Sequence, residues 1–142
     1  MSDPAFESTL LKVVVVDGDE RVRESLAGLL QIGERCVVVA AAGEPAQALE
    51  LISRHRPNVV VLDPRLPEVT GGRLLINAIR EQWPQTRVVI MASSNVLDDD
   101  GLAGLADTYV RKTYRPRELL DAVLSAAAQP APPAPPDAPR AV

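Results

Sequence analysis

Val59-Val60-Val61-Leu62-Asp63-Pro64-Arg65-Leu66-Pro67-Glu68-Val69-Thr70-Gly71-Gly72 is the stretch that decides the fold. Four consecutive apolar residues are too few for a helix but enough to cross a sheet covered on both faces, so Val59 to Leu62 reads as a central parallel strand. Asp63 then stands at its carboxyl end. Ligands of open α/β sheets bind at that edge, because the loops leaving the strands converge there. Taken alone, Asp63 is either a nucleophile or metal ligand, or the cap of the following turn. A second acidic cluster, Asp17-Gly18-Asp19-Glu20, follows a second buried run, Val13-Val14-Val15-Val16, and tips the balance toward chemistry.

Outward from this stretch, strands and helices alternate. Leu10 to Val16 reads as the first strand, and the acidic turn opens a helix carrying Val22, Leu26, Leu29 and Leu30 at helical spacing, stopped by Gly33. Cys36 to Ala40 reads as a second strand. Pro45 starts a helix with Ala48, Leu49 and Ile52 inward, and Pro57 ends it. After Asn58 to Leu62, a third helix places Leu74, Leu75, Ala78 and Ile79 inward and stops before Pro84. Thr86 to Ala92 is a fourth strand. From Ser93 to Asp107 the pattern weakens, and Leu102, Leu105 and Ala106 support barely two helical turns. Thr108 to Arg111 is a fifth strand, and Pro116 opens a helix with Leu119, Leu120, Val123, Leu124 and Ala127 on one face. This (βα)5 order predicts an α/β fold: a doubly wound, five-stranded parallel sheet, flavodoxin-like, in strand order 2-1-3-4-5.

Composition narrows the function classes. Residues 1–10 read as an N-terminal extension, 11–128 as one domain and 129–142, mostly Pro and Ala, as a linker or disordered tail. No apolar run approaches about 18 residues and no secretory signal is visible, so a cytoplasmic protein without membrane contact is expected. The net charge of −4 and the lack of a basic, aromatic-rich patch argue against direct nucleic-acid binding by this domain. One cysteine, Cys36, and one histidine, His55, leave zinc without a ligand set. Cys36 reads as a small buried hydrophobe.

Asp17 and Asp63 each follow a buried parallel strand, so both carboxylates should meet at the same sheet edge. Crowded carboxylates repel unless a hard cation neutralises them, and Mg²⁺ is the usual one. Lys112, ending the fifth strand, points an ammonium toward the same place. A carboxylate nucleophile, a hard cation and a lysine are equipment for forming an aspartyl phosphate.

These segments together resemble a response-regulator receiver domain over about Leu11 to Ala128. Val16-Asp17-Gly18-Asp19-Glu20 resembles the family's acidic pair, Leu62-Asp63 through Gly71 its phosphoacceptor segment, and Tyr109-Val110-Arg111-Lys112 the end of its fifth strand. The resemblance implies that Asp63 accepts a phosphoryl group from a histidine kinase or phosphotransfer protein, that Lys112 partners phosphate and carboxylate, and that Asp17, Asp63 and the backbone carbonyl of Arg65 hold Mg²⁺. Tyr109 matches an aromatic whose rotamer follows phosphorylation in many members; its alternative role is an ordinary strand aromatic. Thr113-Tyr114-Arg115-Pro116, with no proline directly after Lys112, points toward the branch carrying LuxR-type DNA-binding domains. The output would pass to an effector domain or a partner protein, and homodimers are common in the family.

Two departures qualify this. Gly18 replaces the second acid, which touches the metal directly, so Mg²⁺ is expected to bind weakly or not at all, with Asp19 as the candidate substitute. Ala92 replaces the Ser or Thr whose hydroxyl couples the phosphoryl group to the following helix, with Ser93 as its candidate substitute. Pro64 after the acceptor is also unusual and stiffens the loop. Three functions are weighed: a working phosphoacceptor switch, a degenerate receiver acting as a phosphate-independent interaction module, and a flavodoxin-like enzyme or nucleotide binder. The last is disfavoured because the turn after the first strand is acidic rather than glycine-rich. The chain reads as a signalling domain and not an enzyme.

Overall fold

The computed structural model describes residues 10–92, 102–112 and 115–129. Strands β1 (Leu11–Val16), β2 (Cys36–Ala42), β3 (Val59–Leu62), β4 (Arg87–Ala92) and β5 (Thr108–Arg111) form one sheet. Helices α1 (Glu20–Gln31), α2 (Pro45–His55), α3 (Val69–Gln82) and α4 (Pro116–Ala128) cover it. All pairings are parallel, in the expected order β2-β1-β3-β4-β5.

Because strand side chains alternate between faces, each valine run feeds two cores. Val14, Val16, Val60, Leu62, Val88 and Ile90 meet Ile52 of α2 and Leu75, Ile76 and Ile79 of α3. Val13, Val15, Val59, Val61, Val89 and Met91 meet Leu26 and Leu30 of α1 and Leu119 and Val123 of α4. Strands buried on both faces need continuous apolar runs, which is why the runs were legible as strands. Cys36 is a free, buried thiol in the second core, and burial pushes its pKa up, so it stays protonated.

The structure corrects several boundaries. β2 runs to Ala42 rather than Ala40, because its pairing with β1 shifts register between Val13 and Val14 and continues to Val16. Leu74, expected inward, is 65% exposed, and Ile76 is buried instead. The helical stripe is set by contact with β3 and β4, and the apolar pair Leu74-Leu75 alone did not fix its centre. Between β4 and β5, the described residues contain a single 3₁₀ turn, Leu102–Leu105, where an α-helix of barely two turns was expected. Ile76→Ala should lower stability by about 2–5 kcal/mol, whereas Leu74→Ala should change it by less than about 0.5 kcal/mol, both read from urea denaturation.

Candidate functional site

The register of β1 and β3 builds the site. Val16 pairs with Leu62, and the Asp63 amide donates to the Val16 carbonyl at 2.9 Å, so Asp17 and Asp63 leave adjacent strands side by side. Ala92 pairs with Arg111, and the Lys112 amide donates to the Ala92 carbonyl at 3.0 Å, which brings Lys112 to the same edge. Three residues separated widely in sequence thus converge through backbone pairing alone.

Both carboxylates are buried, Asp17 at 3% and Asp63 at 8% exposure. Each has one oxygen held by a local backbone turn: Asp17 Oδ1 accepts from the Asp19 amide at 2.9 Å, and Asp63 Oδ1 from the Arg65 amide at 2.9 Å. The other oxygens share one cation. Lys112 Nζ lies 3.5 Å from Asp17 Oδ2 and forms a direct ion pair with Asp63 Oδ2. Burial by itself would lower the Lys112 pKa, but Asp63 and then Asp17 outweigh it and raise the pKa above its ordinary value.

The loop carrying Asp63 is pressed against α3. A Cβ on Gly71 would lie 2.0 Å from the Leu66 carbonyl oxygen, and one on Gly72 2.1 Å from that of Pro64. Only glycine lets the first turn of α3 approach the Pro64–Leu66 backbone this closely. The Leu66–Pro67 peptide bond is cis.

The sequence-derived candidates divide. Asp17, Asp63 and Lys112 meet. Arg65 lies on the Asp63 loop and touches it through its amide. Asp19 does not join them: its Oδ1 accepts from the Arg21 amide at 2.8 Å and caps α1. Among the described residues, no three acidic, histidine or cysteine side chains cluster closely enough to hold a metal. Asp17 and Asp63 nevertheless supply two adjacent carboxylates, the oxygen chemistry that would suit a hard cation such as Mg²⁺. At Gly18 an added Cβ would meet nothing within 4 Å, and the residue lines a cleft of about 560 Å³ with Arg65 and Pro67. Ala92 is buried in the core shared with Val16 and Leu62 and offers no hydroxyl. Ser93 lies outside the described residues. Tyr109 is half-exposed on β5.

One contributor was missed. Arg23, on α1, donates from Nη1 to the Asp17 carbonyl at 2.7 Å and lies across Gly43, where a Cβ would come within 2.8 Å of it. A charged residue on the polar side of an amphipathic helix ordinarily reads as solvated surface, so nothing in the spacing singled it out.

The comparisons with known proteins agree with this geometry. Residues 13–124 match the family model described as the response regulator receiver domain. The chain belongs to the response regulator receiver family. It is 36% identical over 122 residues to the DNA-binding transcriptional activator DevR/DosR of Mycobacterium tuberculosis, covering 84% of this chain and 55% of that protein. With the response regulator MprA of a Mycobacterium species it shares 30% over 131 residues, covering 91% and 56%. The chain thus spans about half the length of the curated relatives it matches. Among solved structures, the receiver domain of the NarL response regulator of M. tuberculosis superposes with a TM-score of 0.71 at 29% identity, covering 83% of this chain and 96% of that one. A LuxR-family response regulator from an Aurantimonas species gives 0.73 at 29% identity, covering 84% and 86%. Receiver domains are signalling domains of two-component systems whose acidic pocket binds Mg²⁺.

Two expectations follow from this receiver's site. Gly72→Ala gains about 1 kcal/mol of helix propensity, yet the clash is with backbone that cannot yield locally, so a net loss of about 1–3 kcal/mol is expected in urea denaturation. Lys112 is favoured as the ammonium in the folded state, so its contribution is complete below the ordinary lysine value of 10.5 and is lost as pH rises through the higher folded-state value. The stability difference between wild type and Lys112→Met should therefore stay level up to the ordinary value of 10.5 and shrink above it, as followed by denaturation at stepped pH.

Proposed function

We propose that this receiver accepts a phosphoryl group on Asp63 from a phosphohistidine of a histidine kinase or phosphotransfer protein, and that it holds Mg²⁺ weakly. The observation that carries this reading is the Lys112 ammonium bridging two buried carboxylates at the sheet edge. In the transfer, a carboxylate oxygen of Asp63 forms the new P–O bond, the P–N bond to the donor imidazole breaks, and the imidazole departs with its electron pair. Lys112 is placed to neutralise a phosphoryl oxygen on Asp63, and the turn at Arg65 keeps the carboxylate oriented. Asp17, Asp63 and the Arg65 carbonyl would hold Mg²⁺, which supplies charge neutralisation to the phosphoryl oxygens when bound. Gly18 takes one carboxylate out of that set.

A second reading rests on Gly18 and Ala92 together: a receiver that uses its fold as a phosphate-independent interaction module. Under it, the buried Ala92 methyl leaves the phosphoryl group without the hydroxyl through which the β4 end would respond. In either case the output passes to an effector domain or partner protein, in a cytoplasmic setting. No helix of the described residues is long and apolar enough to cross a membrane.

Intact-mass measurement after incubation with a small-molecule phosphodonor and Mg²⁺ separates the readings. A single phosphate adduct is expected on wild type and none on Asp63→Asn. Because position 18 is open, Gly18→Asp should fold normally and tighten Mg²⁺ binding by about tenfold or more, of the order of one recovered charge-assisted contact, in titration calorimetry. Wild type without an adduct under conditions where Gly18→Asp forms one would favour the interaction module.

A further inference from the structure

At the sheet edge opposite the acidic pocket, a polar cluster joins four elements. The β4–β5 connection is fixed firmly on one side: Arg80 of α3 donates from Nε to the Leu105 carbonyl at 2.7 Å, and Asp107 exchanges two bonds with Val88 of β4, its amide to the Val88 carbonyl at 3.0 Å and its Oδ2 accepting the Val88 amide at 2.8 Å. Arg80 Nη2 also lies 3.8 Å from Asp107 Oδ2. On the other side stands Gln129, which caps the carboxyl end of α4 and immediately precedes the Pro-rich run. Its Nε2 donates to the Asp107 carbonyl at 3.3 Å, and its own carbonyl accepts from Arg87 Nε and Nη2, both at 3.4 Å.

Arg87 is only 5% exposed and donates to main-chain carbonyls, to Pro84 just past α3 at 3.1 Å and to Gln129 just past α4. A guanidinium between two helix carboxyl ends is favoured by both dipoles, and its fork of donors spans them as an ammonium would not. The bonds to Gln129 are at the long, weak end of the hydrogen-bond range, whereas the hydrogen bonds fixing Leu105 and Asp107, at 2.7 to 3.0 Å, are of ordinary length. The cluster therefore has a strong half and a weak half.

We propose that this cluster is a breakable latch, coupling the β4–β5 connection to the carboxyl end of α4 where the Pro-rich segment begins. Opening it at Gln129 separates the end of α4 from Asp107, and loosening the 3₁₀ turn at Leu102–Leu105 releases Gln129 in turn. Such coupling is reciprocal by thermodynamic necessity, so each half must report on the other. It works at the edge away from the phosphoacceptor, so its test needs no phosphodonor and stands apart from the phosphorylation reading.

The test is amide hydrogen exchange by NMR on the full chain, comparing wild type with Gln129→Ala and Arg80→Met. Gln129→Ala should speed exchange of the Asp107 amide by about fivefold, as expected for the loss of one net hydrogen bond. Arg80→Met should do the same at the Gln129 amide, while the amides of Val14 and Val61 in the central strands stay unchanged. Acceleration confined to the mutated segment in either variant would overturn the latch. So would equal acceleration at Val14 and Val61, which reports general destabilisation.

Discussion

The parallel pairing of β1 with β3 places two carboxylates side by side at one sheet edge, and the rest of the site answers to that juxtaposition. Val16 and Leu62 are paired, the Asp63 amide bonds the Val16 carbonyl, and Asp17 and Asp63 emerge together with little water to screen them. Two like charges held this closely are tolerable only with a cation between them. Lys112 supplies it, brought there by the pairing of β4 with β5. Both remaining oxygens are satisfied by backbone amides two residues on.

Around this pocket the chain spends its glycines on close approach. Gly71 and Gly72 let α3 seat against the Pro64–Leu66 loop, so the loop that carries Asp63 is packed directly on the first turn of that helix. Gly18 has a different meaning. A Cβ there would meet nothing within 4 Å, so no close approach of backbone calls for glycine at this position. Arg23 ties the Asp17 carbonyl to α1 across Gly43, so the β1 end is braced from two sides.

The two ends of the sheet follow opposite electrostatic logic. At the carboxyl ends of the strands, buried acids share a lysine. At the amino ends, a buried arginine is shared by the carbonyls that end two helices. Parallel α/β folds generate this arrangement because their helices run antiparallel to the strands and deliver their carboxyl ends to the amino edge of the sheet.

The sequence by itself determined the fold class and strand order, since uninterrupted valine runs alternating with amphipathic stretches admit few topologies. It also located Asp17, Asp63 and Lys112, because each directly follows a strand whose end is unambiguous. It did not determine which face Leu74 or Ile76 takes, because two adjacent apolar residues leave a helical stripe uncentred until the sheet selects it. Nor did it show that Asp19 caps α1; a carboxylate at the head of a helix serves whichever donor the backbone turns toward it. The roles of Arg23, Arg80, Arg87 and Asp107 were likewise decided by tertiary structure alone. Their partners are main-chain atoms, some near in sequence, as Asp17 is to Arg23 and Pro84 to Arg87, and others on distant elements, and hydrophobic periodicity carries no record of where a carbonyl will lie.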